Sequence, residues 1–339
     1  MPPQQWWVER SDTAMGGHLG SRVVWHQELT DTQRAVAASI LERVSARIQA
    51  WAAIATRHHE SQLTRLNAST LASVHVGPTI AALAAWAADA WELTGGLVNI
   101  TMLNERIAAE DGSAASRVPA DRGWSLELRS WSHEEHTHLL GGTLHRQLGV
   151  QIDLDGVGKG WIADRAAALL ERMLDAEEES GRLPVWSSCF INGDGDLAVR
   201  NRSGAETEIS VEIPREQERA IGTLTVSGAS CGVATSGTGV HHWGGRHHLI
   251  DPRTGESAQS GIAQATVVAH SAREAEAWAK SIVIDGAAAI RRAEAAGVQQ
   301  IVAVQVSGEI ATTPALPPLR VRDGYTPAPA TVAVGVARS

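Results

Sequence analysis

The sequence predicts an α+β fold, in which strands and helices fall into partly separate runs. Three observations carry this. Short strand-like runs gather between about residues 124 and 153 and again after Arg182-Leu183-Pro184, whereas the long stretches of helical period stand apart from them. No internal repeat is evident, which removes solenoid architectures. The 339 residues are 43% hydrophobic with a formal net charge of -9, enough apolar material for one large folded unit or two intimate ones.

In chain order, Val23-Val24 belongs to a first strand after the turn-rich Met15-Gly16-Gly17. From Thr32 to about Ala55, the residues Ala37, Ile40, Leu41, Val44 and Ile48 share one helical face. A second helix starts near Pro78, which suits a first helical turn, and runs to Leu93, where Gly95-Gly96 stops it. A third spans Trp161 to Leu174. Phe190-Ile191 leads into the glycine-rich Asn192-Gly193-Asp194-Gly195-Asp196, followed by strands at Ile209–Ile213, Thr223–Val226 and Val233. Helices over Ala272–Ile284 and Ala287–Ala296 precede a last strand at Ile301–Val306, and the chain is Pro-rich from about Thr313. The expected organisation is an extension over residues 1–13, one domain over 14–312 and a tail over 313–339.

The acidic balance argues against a nucleic-acid surface, and no block of like charge forms a polybasic arm. No apolar run reaches the roughly 18 residues that a membrane span needs. The opening Met1-Pro2-Pro3-Gln4-Gln5 lacks the charged start and apolar stretch of a secretory leader, so the expected compartment is the cytoplasm. Cys189 and Cys231 make neither a disulfide framework nor a zinc spacing.

Only two of the 29 basic residues are lysine, Lys159 and Lys280. A chain of this length ordinarily carries on the order of twenty. Coding bias accounts for the excess of arginine. A lysine that survives such bias is a candidate for a place that needs a compact point charge rather than a planar fork. Lys159 lies in Asp155-Gly156-Val157-Gly158-Lys159-Gly160-Trp161, where glycines bring the backbone close to a ligand and a helix begins. A helix N-terminus suits phosphate, although the spacing is not that of a Walker loop and the segment taken alone favours an ordinary helix-entry turn. Lys280 follows Glu276 by four residues, which taken alone is a surface ion pair. Yet Ala272, Val283 and Ala287 share the stripe, so the pair is expected to be partly buried. His248 stands three residues before Asp251-Pro252, as a turn-flanking histidine or a proton carrier. His133-Glu134-Glu135-His136-Thr137-His138 looks like a metal cluster but lacks the HExxH spacing and reads as a polar turn.

Together these segments resemble the ApbE family of flavin transferases. Met15-Gly16-Gly17 is similar to that family's Met-Gly-Thr, and Ser61 to Asn67 to its Ser-x-Leu-x-x-Leu-Asn. Thr94-Gly95-Gly96-Leu97-Val98-Asn99-Ile100-Thr101 resembles Thr-Gly-Gly-x-Phe-Asp-Pro-Thr. Asp155 to Trp161, with Asp164 trailing, resembles Gly-Gly-Ile-Ala-Lys-Gly-Tyr and its aspartate; Asn192 to Asp196 resembles Asn-x-Gly-Gly-Asp. Thr235-Ser236-Gly237 with His248 to Gly255 resembles Thr-Ser-Gly and His-Ile-Ile-Asp-Pro-x-Thr-Gly.

The resemblance implies a T-fold-related unit of mixed sheets with packed helices, compact and two-lobed. It also implies transfer of FMN from FAD to a threonine hydroxyl of an acceptor protein, with AMP leaving and Mg²⁺ near the pyrophosphate. By motif, Met15, Leu97, Val98, Asn99, Asp155, Trp161 and Ile250 line the FAD site, Lys159 sits near the phosphates, and His248, Asp251 and Lys280 are catalytic candidates. The metal would fall to the Gly158 carbonyl and Glu276. Here the pattern departs from the family, because Lys280 stands at the position of a threonine ligand, and an ammonium has donors but no acceptor. Three readings stay open: a transferase whose Lys280 ammonium replaces Mg²⁺, an FAD carrier or regulatory protein, and a pyrophosphatase that gives FMN and AMP.

Overall fold

The computed structural model describes residues 4–14, 16–113, 123–133, 136–202, 206–212, 220–239, 241–313 and 320–321. Its centre is an eight-stranded antiparallel sheet built from β1 (Trp6–Ala14), β2 (Gly17–Trp25), β6 (Trp186–Gly193), β7 (Asp196–Asn201), β10 (Ser230–Gly237), β15 (Ile262–Ala269), β16 (Gln300–Gln305) and β17 (Ile310–Thr312), in that spatial order. Three strands, β3 (Ser73–Val76), β4 (Trp124–His133) and β5 (His136–Arg146), form a separate sheet in the order β3-β5-β4. Another groups β8 (Glu206–Glu212) and β9 (Ala220–Ser227) with β18 (Arg320–Val321). Two short hairpins, β11–β12 (His242–Trp243 with Arg246–His247) and β13–β14 (Ile250–Asp251 with Glu256–Ser257), lie between β10 and β15 in sequence.

The helices are α1 (Asp31–Ala55), α2 (Gln62–Ala68), α3 (Pro78–Thr94), α4 (Leu103–Asp111), α5 (Gly158–Glu179), α6 (Ala272–Asp285) and α7 (Ala287–Ala295). Thr30 and Gln33 close a capping box on α1, satisfying N–H groups that have no partner inside the helix. On α3, Pro78 opens the first turn and Gly95 ends the helix at φ 64, the left-handed conformation glycine adopts without strain. Helix α5 lies on β6 and β7, α6 on β10 and β15, and the two helices pack side by side. Val199, Val233, Val268 and Val302 from the sheet's other face bury against Ile209, Val211, Leu224 and Val226 of the β8–β9 pair. The central strands are covered on both faces, which explains their nearly continuous apolar runs.

Two boundaries differ from the sequence expectation. Residues 6–13, read as part of an extension, form with Ala14 a strand that pairs with β2 along its whole length from Trp6↔Trp25 to Ala14↔Gly17. Arg320 and Val321, within the expected tail, pair with β9. Polar residues such as Glu9, Arg10 and Asp12 hide this edge strand from a hydrophobic pattern, because its two faces are only half-buried in alternation. The decoy histidine stretch falls at the β4–β5 connection, where Glu134 and Glu135 lie outside the described residues. No helix among the described residues is long and apolar enough to cross a membrane.

Candidate functional site

The N-termini of α5 and α6 meet, and each helix caps the other. Asp164 of α5 accepts from the Ala272 and Arg273 backbone N–H groups of α6 at 3.0 and 3.1 Å. Glu276 of α6 accepts from the Gly160 N–H of α5 at 3.0 Å. Both carboxylates satisfy orphan donors at the positive end of a helix dipole. Close approach requires glycine, since a Cβ on Gly160 would stand 2.6 Å from the Ala272 carbonyl oxygen. The preceding loop supplies no side-chain cap to α5, whose first turn carries Lys159.

Beside this junction opens a cavity of about 1060 Å³. Its floor holds both lysines of the chain. Lys159 Nζ donates to Asp194 Oδ2 at 2.8 Å. Burial opposes the Lys159 charge, but the Asp194 hydrogen bond and the nearby Asp196 outweigh it and hold the ammonium above its ordinary range. Asp194 occupies the β6–β7 turn at φ 61, uncommon for a residue with a side chain. Its carboxylate also accepts from the His18 N–H at 3.3 Å. Lys280 Nζ donates to Glu276 Oε1 at 2.8 Å. Between these pairs Asp196 is buried; burial, and then the Glu276 charge, push its carboxyl well above the usual carboxylate range.

A second wall comes from residues 241–250, which include β11 and β12. The His248 N–H donates to the His241 carbonyl at 3.1 Å, and the two rings meet edge to face at 5.1 Å. His241 in turn stacks on Trp243, with centroids 6.5 Å apart and planes 14° from parallel. Burial, then the Arg106 charge, push the His248 imidazole down to about 3, so the ring is neutral at pH 7. A long 3.4 Å contact from Nδ1 to the His241 carbonyl favours the tautomer protonated there, leaving Nε2 as an acceptor. A third wall is polar: Arg106 Nη1 donates to Asp153 at 2.8 Å and Asp155 at 2.9 Å, while Arg57 pairs with Glu110.

Of the residues singled out by sequence, Leu97, Val98, Asn99, Asp155, Gly158, Lys159, His248, Ile250 and Lys280 line this one cavity. Glu276 lies fully buried behind Lys280. Met15 is outside the described residues, with lining residues Ala14 and Gly16 on either side. Two others are placed elsewhere. Trp161 is buried in the helical core, edge to face with Trp51 at 6.0 Å. Asp251 turns away toward a smaller recess of about 370 Å³, where Arg253 donates to both of its carboxylate oxygens. There it anchors the turn after Ile250, and a catalytic part for it is withdrawn. Sequence reading missed Arg57, the Arg106–Glu110 pair of α4 and Trp243, which come from three separate segments. The one available signal was the Asp153/Asp155 alternation facing an Arg106–Glu110 pair.

The donor set around Glu276 does not suit Mg²⁺. One of its oxygens is held by the Lys280 ammonium and the other by the Gly160 N–H. Mg²⁺ requires near-octahedral oxygen ligands, and a full positive charge in the same place opposes it. The hydrogen bond of Lys280 among the described residues goes to Glu276 and not to the Gly158 carbonyl.

The ApbE family pattern matches residues 19–303. The FAD:protein FMN transferase of Escherichia coli strain K12 is 30% identical over 140 residues, covering 40% of this chain and 37% of that protein. The one from Treponema pallidum is 28% identical over 151 residues, covering 41% and 39%. The chain spans about two fifths of the length of the curated relatives it matches. The ApbE protein of Thermotoga maritima superposes with a TM-score of 0.68 at 22% identity, over 91% of this chain and 97% of that one. Pseudomonas stutzeri flavinyl transferase ApbE gives 0.65 at 19%, over 91% and 94%. These two likenesses establish the fold, and the match across most of the sequence establishes that the chain belongs to the ApbE family.

Proposed function

We propose that the protein is an FAD:protein FMN transferase. One observation carries this reading: nine of the motif residues converge on a single cavity whose floor offers two ammoniums and whose wall offers a neutral imidazole. A dinucleotide with a central diphosphate matches a cavity with ammonium donors in the middle and apolar and stacking surfaces beside them. In the reaction, the hydroxyl oxygen of an acceptor threonine forms a bond to the FMN-side phosphorus. The bond from that phosphorus to the bridging oxygen breaks, and AMP leaves with the electron pair. The hydroxyl proton passes to Nε2 of His248, whose basicity rises once the anionic diphosphate is seated beside it. Lys159 takes up charge on the departing phosphate, so positioning and charge neutralisation supply most of the catalysis.

A second reading, a carrier that binds FAD without transferring FMN, is favoured by the Glu276–Lys280 pair that closes the expected metal position. Purified protein mixed with FAD, with and without an acceptor polypeptide, separates the readings by release of AMP. AMP that depends on acceptor supports the transferase. AMP without acceptor makes the protein a pyrophosphatase, and bound FAD with no AMP makes it a carrier. His248→Ala should slow acceptor-dependent release by roughly 10²–10⁴-fold while FAD still binds; an unchanged rate removes His248 from the reaction.

A further inference from the structure

We infer that Lys159 and Lys280 form a two-ammonium cradle for the ligand's diphosphate and that this cradle makes a divalent cation dispensable for binding. The inference rests on the reading of the cavity as an FAD site. Three observations carry it. First, the chain has only two lysines, they are 121 residues apart in sequence (280 − 159), and both line the same cavity. Everywhere else arginine serves as the base. The compact, strongly hydrated ammonium has been kept only here, where a broad planar fork would not replace a small cation.

Second, each ammonium is held from behind by a carboxylate that is itself fixed. Asp194 is set by its turn and by the His18 N–H, and Glu276 by the Gly160 N–H. An ammonium has three donors. The single side-chain hydrogen bond each lysine makes, at 2.8 Å, leaves further N–H groups for an anion in the cavity. Third, the two ammoniums share one place, because buried Asp196 lines the same cavity with both of them. Two anchored ammoniums facing one space present their remaining N–H donors to the oxygens of a diphosphate diester. Each Glu276 oxygen already accepts a hydrogen bond, and the Lys280 ammonium opposes a second cation there.

The test follows flavin fluorescence on titration with FAD or riboflavin, in EDTA or in excess Mg²⁺. Wild-type FAD affinity should agree within about twofold between the two conditions. The double variant Lys280→Met with Glu276→Gln keeps an acceptor for the Gly160 N–H and leaves no lone buried charge. It should lose FAD affinity by about tenfold or more while its riboflavin affinity stays put; a change that merely disturbed the fold would weaken both ligands. A paramagnetic-resonance spectrum of Mn²⁺ added to the wild-type protein with FAD should remain that of the free ion, a readout that needs no variant. A wild-type FAD affinity that rises tenfold with Mg²⁺, a bound Mn²⁺ spectrum, or a double variant with unchanged FAD affinity would each overturn the cradle. The outcome for the transferase reading is separate. FAD that binds in EDTA without AMP release leaves the cradle standing and removes the transferase, whereas no FAD binding under either condition removes both.

Discussion

The two lysine pairs have the same nitrogen–oxygen distance and very different surroundings. Lys159 and Asp194 retain 27% and 38% of their side-chain exposure, and Lys280 and Glu276 retain 14% and 0%. Water screens the first pair, so its own contribution to stability is of the order of a surface ion pair, about 1 kcal/mol or less. In the second, a fully buried carboxylate depends on one ammonium and one backbone N–H. Removing one partner of a buried pair typically costs about 3–5 kcal/mol, because the other is left as an uncompensated charge. Distance alone therefore says little: the Lys159 pair is suited to exchanging partners with a ligand, and the Lys280 pair is part of the structure that holds α5 against α6.

The largest expected effect breaks the buried pair. Lys280→Met should lower stability by about 3–5 kcal/mol, read from the urea midpoint, and adding Glu276→Gln should restore most of it. A single variant as stable as wild type would place Glu276 in contact with water and remove the contrast between the pairs. Next comes Lys159→Ala, which should weaken FAD binding by about tenfold, equivalent to roughly 1.4 kcal/mol. Its effect on stability without ligand should stay within about 1 kcal/mol. If Lys159→Ala unfolds the protein as readily as Lys280→Met, the two pairs are structurally equivalent and the comparison fails.

Both lysines were legible in the sequence, and so was most of the helical frame. Pro78 and Gly95 mark the ends of α3 because a fixed φ and a left-handed φ are requirements that few residues meet. The short helices α2 and α4 were not read from the sequence, and the seven residues of α2 give too little periodicity to show one. The glycine-bearing segments announced the cavity because backbone close to a ligand restricts residue choice strongly. Arg57 gave no such sign, and the Arg106–Glu110 spacing only a faint one: the ion pairs Arg57–Glu110 and Arg106–Asp153 join distant elements and exist only after packing brings those elements together. Asp251 shows the opposite error. It adjoins Ile250, which lines the cavity, but a turn closed by the Thr254 and Gly255 N–H groups onto the Asp251 carbonyl sends its side chain toward Arg253. Neighbours in sequence need not face the same space.

Smaller effects sharpen the comparison. Asp164 caps α6 from α5 much as Glu276 meets α5 from α6, yet Asp164 has two backbone donors and no lysine. Asp164→Ala should cost about 1 kcal/mol, the usual value of a helix cap, and less than Lys280→Met. The smallest effect is that of salt. At about 1 M ionic strength the screening length falls to about 3 Å, which suppresses interactions between exposed charges and hardly touches buried ones. The small stability difference between wild type and Lys159→Ala should therefore vanish in high salt, while the larger loss in Lys280→Met persists. Urea midpoints for the three proteins at low and high NaCl would show this directly. If salt erased both differences equally, the Lys280–Glu276 pair would be solvated like its partner across the cavity. The structural part assigned to Lys280 would then pass to Glu276 alone, through its bond to the Gly160 N–H.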